Sequence, residues 1–431
     1  MKLTKLMVVA TVLLLASQLL AQNMGGLTLV QKLAAKADAT GQPQRLMPTA
    51  PPNHMRSFVW IAGGFTPGQP PTKPVNCNKN GFCPPSLAVA YGTDSVLGGN
   101  GGKGVVIAIT DAFHYANAAS DLNFFSHDMG ILYNGDPDCT LQNGCFTQVD
   151  QNGGQNFCGP DRGWETETML DIEWAHAMAP NAKIVLVEGC TNEDTDLAVA
   201  VQTAVNKMGA NFVSNSWGED EFPEETQEDA SWVGLNVPLM FASGDGGAPG
   251  IYPCVSIYAT CIGGTALTLD SNFHRTKETG WAGSGGGCSV YEPAVNYQTS
   301  NGVTLCESKR AAPDVSAVAS PGTPVYIYDS GNGGYGRVGG TSAATPITAG
   351  VFAVVETARR GFGKVDFGQQ IGNQLYRPYK GFGTPGSSYS YFYWDVLTGN
   401  NGHAAGPGYD LVTGLGVSYP VNMANRFFGL Q

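Results

Sequence analysis

Between residues 104 and 244 the chain alternates two kinds of segment: apolar runs without polar alternation, and stretches of helical period. GVVIAITD (104–111), AKIVLVEG (182–189), NFVSNSW (211–217) and VPLMFASG (237–244) read as strands buried on both faces. Residues 165–178 and 196–209 read as helices between them, the first stopped by Pro180. Strands that are apolar on both faces need cover on each side, which a mainly parallel sheet with helices on both faces supplies. The expectation is therefore a doubly wound α/β fold whose active site gathers at the carboxyl ends of its strands. Asp111, Trp217, Asp245 and Ser342 fall at strand ends or in the turn before a helix.

No composition break or long linker divides the chain after about residue 80, so residues 81–431 are expected to form one large catalytic domain. Residues 22–80 precede it as a short N-terminal extension or linker, rich in Pro, Gln, Gly and Ala up to residue 76. Lys2 and Lys5 followed by the apolar run Leu6 to Leu20, with Ala21 at the cleavage position, predict a signal peptide over 1–21. The run is short for a membrane span. The mature protein is expected to be secreted, extracellular or periplasmic, a monomer without stable membrane association. Ten cysteines suit an oxidising compartment. Their order suggests local pairs, Cys77 with Cys83, Cys139 with Cys145, Cys254 with Cys261 and Cys288 with Cys306, which leaves Cys158 and Cys190. A formal charge of −12 leaves nothing basic enough for nucleic acid. Only 13% of residues are charged, against about 25% in an ordinary globular protein. With so few basic groups, self-repulsion after carboxylate protonation stays modest.

The segment GGTSAATPITAGVFAVVE (339–356) sets one hydroxyl, Ser342, at the head of an apolar helix-like run, where backbone N–H groups stand ready for a developing negative charge. A nucleophilic serine needs a base. None of the six histidines sits in a suitable helix start, and His176 lies mid-helix beside an aromatic residue, as a packing or surface residue would. Carboxylates offer the alternative. Glu167 and Asp171 are four apart, so on a helix they share a face with Cβ atoms about 5–6 Å apart. Such a pair, if partly buried, raises its own apparent pKa and gives Glu167 the properties of a general base on Ser342. A solvated acidic face is the competing reading, and Glu165 and Glu173 are rival acids. Asp245, in FASGDGGAPG, follows a strand in a glycine-rich turn. Ionised, it would repel an oxyanion; protonated, it would donate a hydrogen bond to one. A turn-forming Asp beside Gly is the alternative. Asp395 and Asp410 flank a glycine-rich loop that could hold a hard cation, although by pattern alone a plain surface loop is the favoured reading.

In combination, ETMLDIEWAHAMAPNAKI, ASGDGG, SGGGCSVYEPAVNYQ, PDVSAVA and GGTSAATP stand in one order over residues 84–415 and resemble the sedolisin family, the serine-carboxyl peptidases. The resemblance implies a subtilisin-like fold and protein or peptide substrates. It implies Ser342 as nucleophile, Glu167 as its general base, Asp171 as the residue that orients and tunes that base, and Asp245 as the oxyanion acid. Asp111, where many members carry Glu, and Trp217 take places in an outer hydrogen-bond network. The resemblance further implies one structural calcium ion, held by the side chains of Asp395 and Asp410 and the carbonyls of Val396, Gly406 and Gly408. The long propeptide usual in that family has no counterpart in the 55–60 residues before the catalytic domain. Two other readings compete: a catalytically silent secreted scaffold of the same fold, and a histidine-dependent hydrolase of another fold.

Overall fold

The computed structural model describes residues 26–66, 73–74, 77–385 and 387–425. The leader expected at 1–21 lies outside the described residues. Among the described residues no helix is long and apolar enough to cross a membrane. The N-terminal extension contributes α1 (Leu29–Thr40), β1 (Gln44–Arg45), β2 (Arg56–Ser57) and β3 (Trp60–Gly64). The sheet region follows with β4 (Val106–Ala112), β5 (Phe146–Asp150), α2 (Arg162–Met178), β6 (Lys183–Gly189), α3 (Asp194–Asn206), β7 (Phe212–Asn215), β8 (Trp217–Asp220) and β9 (Leu239–Ala242). Beyond it come β10 (Ile251–Tyr252), β11 (Ala259–Leu269), β12 (Arg275–Gly280), β13 (Val315–Val318), β14 (Val325–Asp329), β15 (Gly334–Gly339) and α4 (Thr341–Gly361).

The central sheet has the order β12-β11-β9-β7-β4-β6-β5, with β13 beside β11. Every pair is parallel except β11–β12. This is the α/β architecture expected from the unalternating strands. Successive side chains of a strand point to opposite faces, and each face has its own core. Ile107 and Ile109 join Leu170, Ile172 and Ile347 on one side, while Ala108, Val185 and Val187 join Leu197 and Val201 on the other. Helix α2 begins where Asp161 accepts from the backbone N–H groups of Gly163 and Trp164, an N-cap that satisfies two orphan donors. Helices α2 and α4 approach closely because Gly350 has no side chain: a Cβ there would stand 2.5 Å from Met178 Cβ and 3.1 Å from the Ala175 carbonyl.

The extension is folded where a linker would be extended. Thr28 and Gln31 cap α1 reciprocally. Val30, Ala34, Leu46, Val59 and Ile61 are buried in the larger core. Strand β3 pairs antiparallel with β1 on one edge and β15 on the other, and β2 pairs antiparallel with β8. All ten cysteines are paired: the four local bridges form as expected, and Cys158 joins Cys190.

Candidate active site

Ser342 is the second residue of α4 and is fully buried. Pro346, four residues on, has no N–H, so the Ser342 carbonyl loses its ordinary helical partner. Ser216 occupies the vacancy: its Oγ lies 3.3 Å from that carbonyl and donates to Asp171 Oδ1 at 2.9 Å. The Ser342 hydroxyl donates in turn to the Ser216 carbonyl at 3.3 Å and accepts from the Phe58 N–H at 3.1 Å. Neither partner is a histidine. His176 is buried against Ser126, 3.0 Å from its Oγ, and burial holds its pKa down at about 3.

Glu167 and Asp171 sit one turn apart on α2 and are both completely buried, so the solvated-face alternative does not hold here. Burial is the largest cause raising both pKa values well above the ordinary carboxyl range, and Asp111 adds its charge to each. The hydroxyls of Ser342 and Ser57 stand beside Glu167 and pull its pKa part of the way back. Neither makes a hydrogen bond of good geometry with it, and both Glu167 oxygens lack a partner. Asp111, at the end of β4, is pushed up to about 8, first by burial and then by Glu188, against a smaller lowering by Thr168. Three carboxyls in one buried space cannot all ionise, so they share protons. Trp217 walls this space and donates from Nε1 to the Thr110 carbonyl at 2.8 Å.

Asp245 approaches from the turn after β9. Its Oδ1 accepts from the N–H and the hydroxyl of Thr341, each at 2.8 Å, while its buried Oδ2 has no partner. Burial lifts its pKa to about 7, against lowering by Thr341, Arg45 and Trp60. The acid therefore holds its proton in mildly acid solution, and with Oδ1 occupied as an acceptor the proton belongs on Oδ2. The sequence-predicted Ser342, Glu167, Asp171 and Asp245 thus meet around one buried hydroxyl, with Asp111 and Trp217 behind them.

The subtilase-family model matches residues 152–375, more than half of the chain. This chain belongs to the subtilase family. Among its relatives is kumamolisin of Bacillus sp. (strain MN-32), 31% identical over 300 residues, covering 60% of this chain and 50% of that protein. Sedolisin of Pseudomonas sp. (strain 101) is 32% identical over 180 residues, covering 38% of this chain and 28% of that protein. The chain thus spans about half or less of the length of these relatives. A solved structure of Pseudomonas sedolisin, titled a serine-carboxyl proteinase complexed with two molecules of pseudo-iodotyrostatin, superposes with a TM-score of 0.67 at 23% identity. It covers 80% of this chain and 98% of that one and shows the fold to be subtilisin-like. The homology is to serine-carboxyl peptidases of the sedolisin type.

The second acidic pair of this subtilase lies apart from the first. Asp395 accepts from the Tyr389 hydroxyl at 3.1 Å and from the Gly408 N–H at 3.0 Å. Asp410 accepts from the N–H groups of Gly406, Val412 and Thr413. Burial raises both pKa values. Among the described residues neither carboxylate forms an ion pair with a basic side chain. Two part-buried carboxylates without a cation, on a loop of backbone carbonyls, have the donor chemistry that a hard cation takes.

Two members of this constellation escape a sequence reading. Ser216 and Thr341 carry no motif of their own, although SNSWG at a strand end and the residue next to Ser342 were available signals. A third group, Ser57, Phe58 and Trp60 of the extension, reaches the site across 110 or more residues of sequence and had no local signal at all.

Proposed function

We propose that this chain is a secreted, acid-acting serine-carboxyl endopeptidase. Ser342 Oγ attacks a peptide carbonyl carbon while Glu167 takes its proton, and Asp171, held by Ser216, orients and tunes that base. Protonated Asp245 donates from Oδ2 to the oxyanion. The tetrahedral intermediate expels the amine with the proton from Glu167, and water then releases the acyl group by the same route. The observation that carries this reading is the convergence of Ser342, Glu167, Asp171 and the half-unpartnered Asp245 on one buried place. Asp395 and Asp410, with the carbonyls of Val396, Gly406 and Gly408, would hold one calcium ion. The ion would fix the loop whose Asn401 carbonyl accepts from Ala248 N–H at 2.7 Å, three residues beyond Asp245. Its role is structural and no chemical step passes through it.

The pH dependence follows from two opposed needs. Glu167 must be able to give up its proton, while Asp245 must keep one. As pH rises through about 7, the Asp245 carboxyl ionises and repels the oxyanion, so activity is lost on that side. As pH falls through the raised range of the Glu167–Asp171–Asp111 cluster, the base is protonated and activity is lost there too. Hydrolysis of an unfolded protein should therefore peak on the acid side of neutral and vanish above about pH 8. Ser342→Ala should abolish it. A maximum above pH 7 would sink the protonated-Asp245 mechanism. No turnover at any pH from folded wild-type protein would return the chain to the silent-scaffold reading.

A further inference from the structure

From Asp111 a line of polar groups leads away from the cluster to the surface. Glu188 stands directly opposite Asp111 in the parallel β4–β6 ladder. Neighbouring strands lie about 4.8 Å apart and paired residues leave the same face, so the two carboxyls stand side by side. Glu188 is held by donors alone. Its Oε1 accepts from the Tyr115 N–H and the Gln148 side-chain amide, each at 2.9 Å, and its Oε2 pairs with His114 Nδ1 at 2.7 Å. His114 stacks on Phe157 with ring centres 4.1 Å apart. Exposure rises along this line, from 0% at Asp111 through 2% at the Glu188 side chain to 22% at that of His114. Glu188, Phe113, Asp150 and Asp196 also line one hollow of about 240 Å³, which has room for several waters.

The two neighbouring carboxyls are provided for in opposite ways. Neither oxygen of Asp111 has a hydrogen-bond partner of good geometry, which favours the neutral acid. At Glu188 burial pushes the pKa up, and the Tyr115, His114 and Gln148 donors pull it part of the way back, because they fit the carboxylate. The other acids around Glu188 are engaged by their own loops. Asp150, opposite it at the end of β5, accepts from the N–H groups of Asn152, Gly154 and Asn156. Asp196 of α3 accepts from Thr191 and Gln151. On the far side of Asp111 are Glu167 and Asp171 of α2. A charge on Glu188 therefore falls first on Asp111.

We infer that Glu188 is a positioning residue of this reaction: its charge holds the cluster's shared proton on Asp111, so that the first ionisation falls on the Glu167–Asp171 pair beside Ser342. The inference rests on Ser342 being the nucleophile and Glu167 its base. Were Asp111 to ionise first, its charge would bear on both acids of α2 and keep the base protonated to higher pH. Glu188 touches no reacting atom; it decides where a proton sits. His114 steadies the charge on Glu188 from the solvent side.

The test is the pH–rate profile for hydrolysis of an unfolded protein by the full chain. Glu188→Gln keeps the shape and the acceptor for Tyr115 and Gln148 but carries no charge. Its acid limb should move up by about one pH unit, about tenfold in rate on that limb, while the alkaline limb set by Asp245 stays in place. Glu188→Asp, which keeps the charge, should bring the acid limb most of the way back. Asp111→Asn is neutral at every pH, so Glu188→Gln added to it should leave the limb where Asp111→Asn alone sets it. An acid limb unmoved by Glu188→Gln in folded enzyme, or moved as far in the Asp111→Asn background, would overturn the inference and leave the peptidase reading standing. Should Glu188→Gln not fold, infrared spectra of wild type and Asp111→Asn at about pH 6 supply the second measurement. The band of a protonated carboxyl should be present in the wild type and lost in the variant; loss of a carboxylate band instead would overturn the inference. Absence of hydrolysis at every pH in folded wild-type protein would remove the peptidase reading, and this inference with it.

Discussion

The molecule carries two pairs of carboxylates, one fully buried on a helix and one in a glycine-rich loop, and they differ in the backbone beneath them. Glu167 and Asp171 stand on a helix, whose N–H groups are already committed to carbonyls four residues back. The acids of that helix must find side-chain partners, and only one oxygen of the four succeeds, through Ser216. Asp395 and Asp410 belong to a loop, and loop N–H groups are free to turn inward: between them these two accept from Gly406, Gly408, Val412 and Thr413. The helix therefore makes a pair that holds protons, while the loop gives its pair backbone donors that offset part of the upward push of burial. Residue type is the same in kind; hydrogen-bond supply decides the chemistry.

The sharpest way to break this contrast is to remove one charge from each pair. Glu167→Gln should lower turnover by about 10³–10⁴-fold with the fold retained by circular dichroism, whereas Asp410→Asn should leave turnover near wild type at 25 °C when calcium is supplied. Similar losses in both would mean that the loop acids reach the chemistry. The next effect concerns the one acid that is half satisfied. Asp245→Ala should cost about 10²–10³-fold at the optimum. Asp245→Asn should keep most of the activity, since its Oδ1 still accepts from Thr341 and its amide donates at any pH. Its alkaline limb near pH 7 should accordingly disappear from the pH–rate profile. An unchanged limb would show that another group sets it. The smallest effect is on stability. Chelation of calcium should lower the melting temperature by a few degrees, the size expected for losing about 2–3 kcal/mol of ligand linkage in a domain of this size. Asp395→Asn should be insensitive to the same treatment.

Much of this was legible because the sheet and the helices declare themselves locally. Strands β4, β6, β7 and β9 and helices α2 and α3 form within a few residues of where the apolar pattern puts them, since the strands are buried on both faces as their unalternating runs require. The i, i+4 spacing of Glu167 and Asp171 by itself puts both acids on one face of a helix. Their full burial was not legible, because it depends on Trp217, Ser216 and α4, which arrive from distant sequence. The extension was illegible for a stronger reason. Strands β1 and β2 are two residues long and carry no period; they exist only because β3 and β8 offer edges to pair with. A Pro- and Gln-rich segment reads as linker unless its partners are known.

Gly340 has a use outside this molecule. Its φ of +117° and the 1.7 Å between an added Cβ and the Phe58 oxygen leave no room for any side chain where a peptide carbonyl must rest. A drifting lineage that has given up proteolysis is under no pressure to preserve that hole, even while its serine and acids persist by chance. When unfamiliar sequences of this fold are sorted, the residue two places before the serine is accordingly a cheaper witness than the serine itself. A methyl group there would close the space that the Phe58 carbonyl fills in this chain.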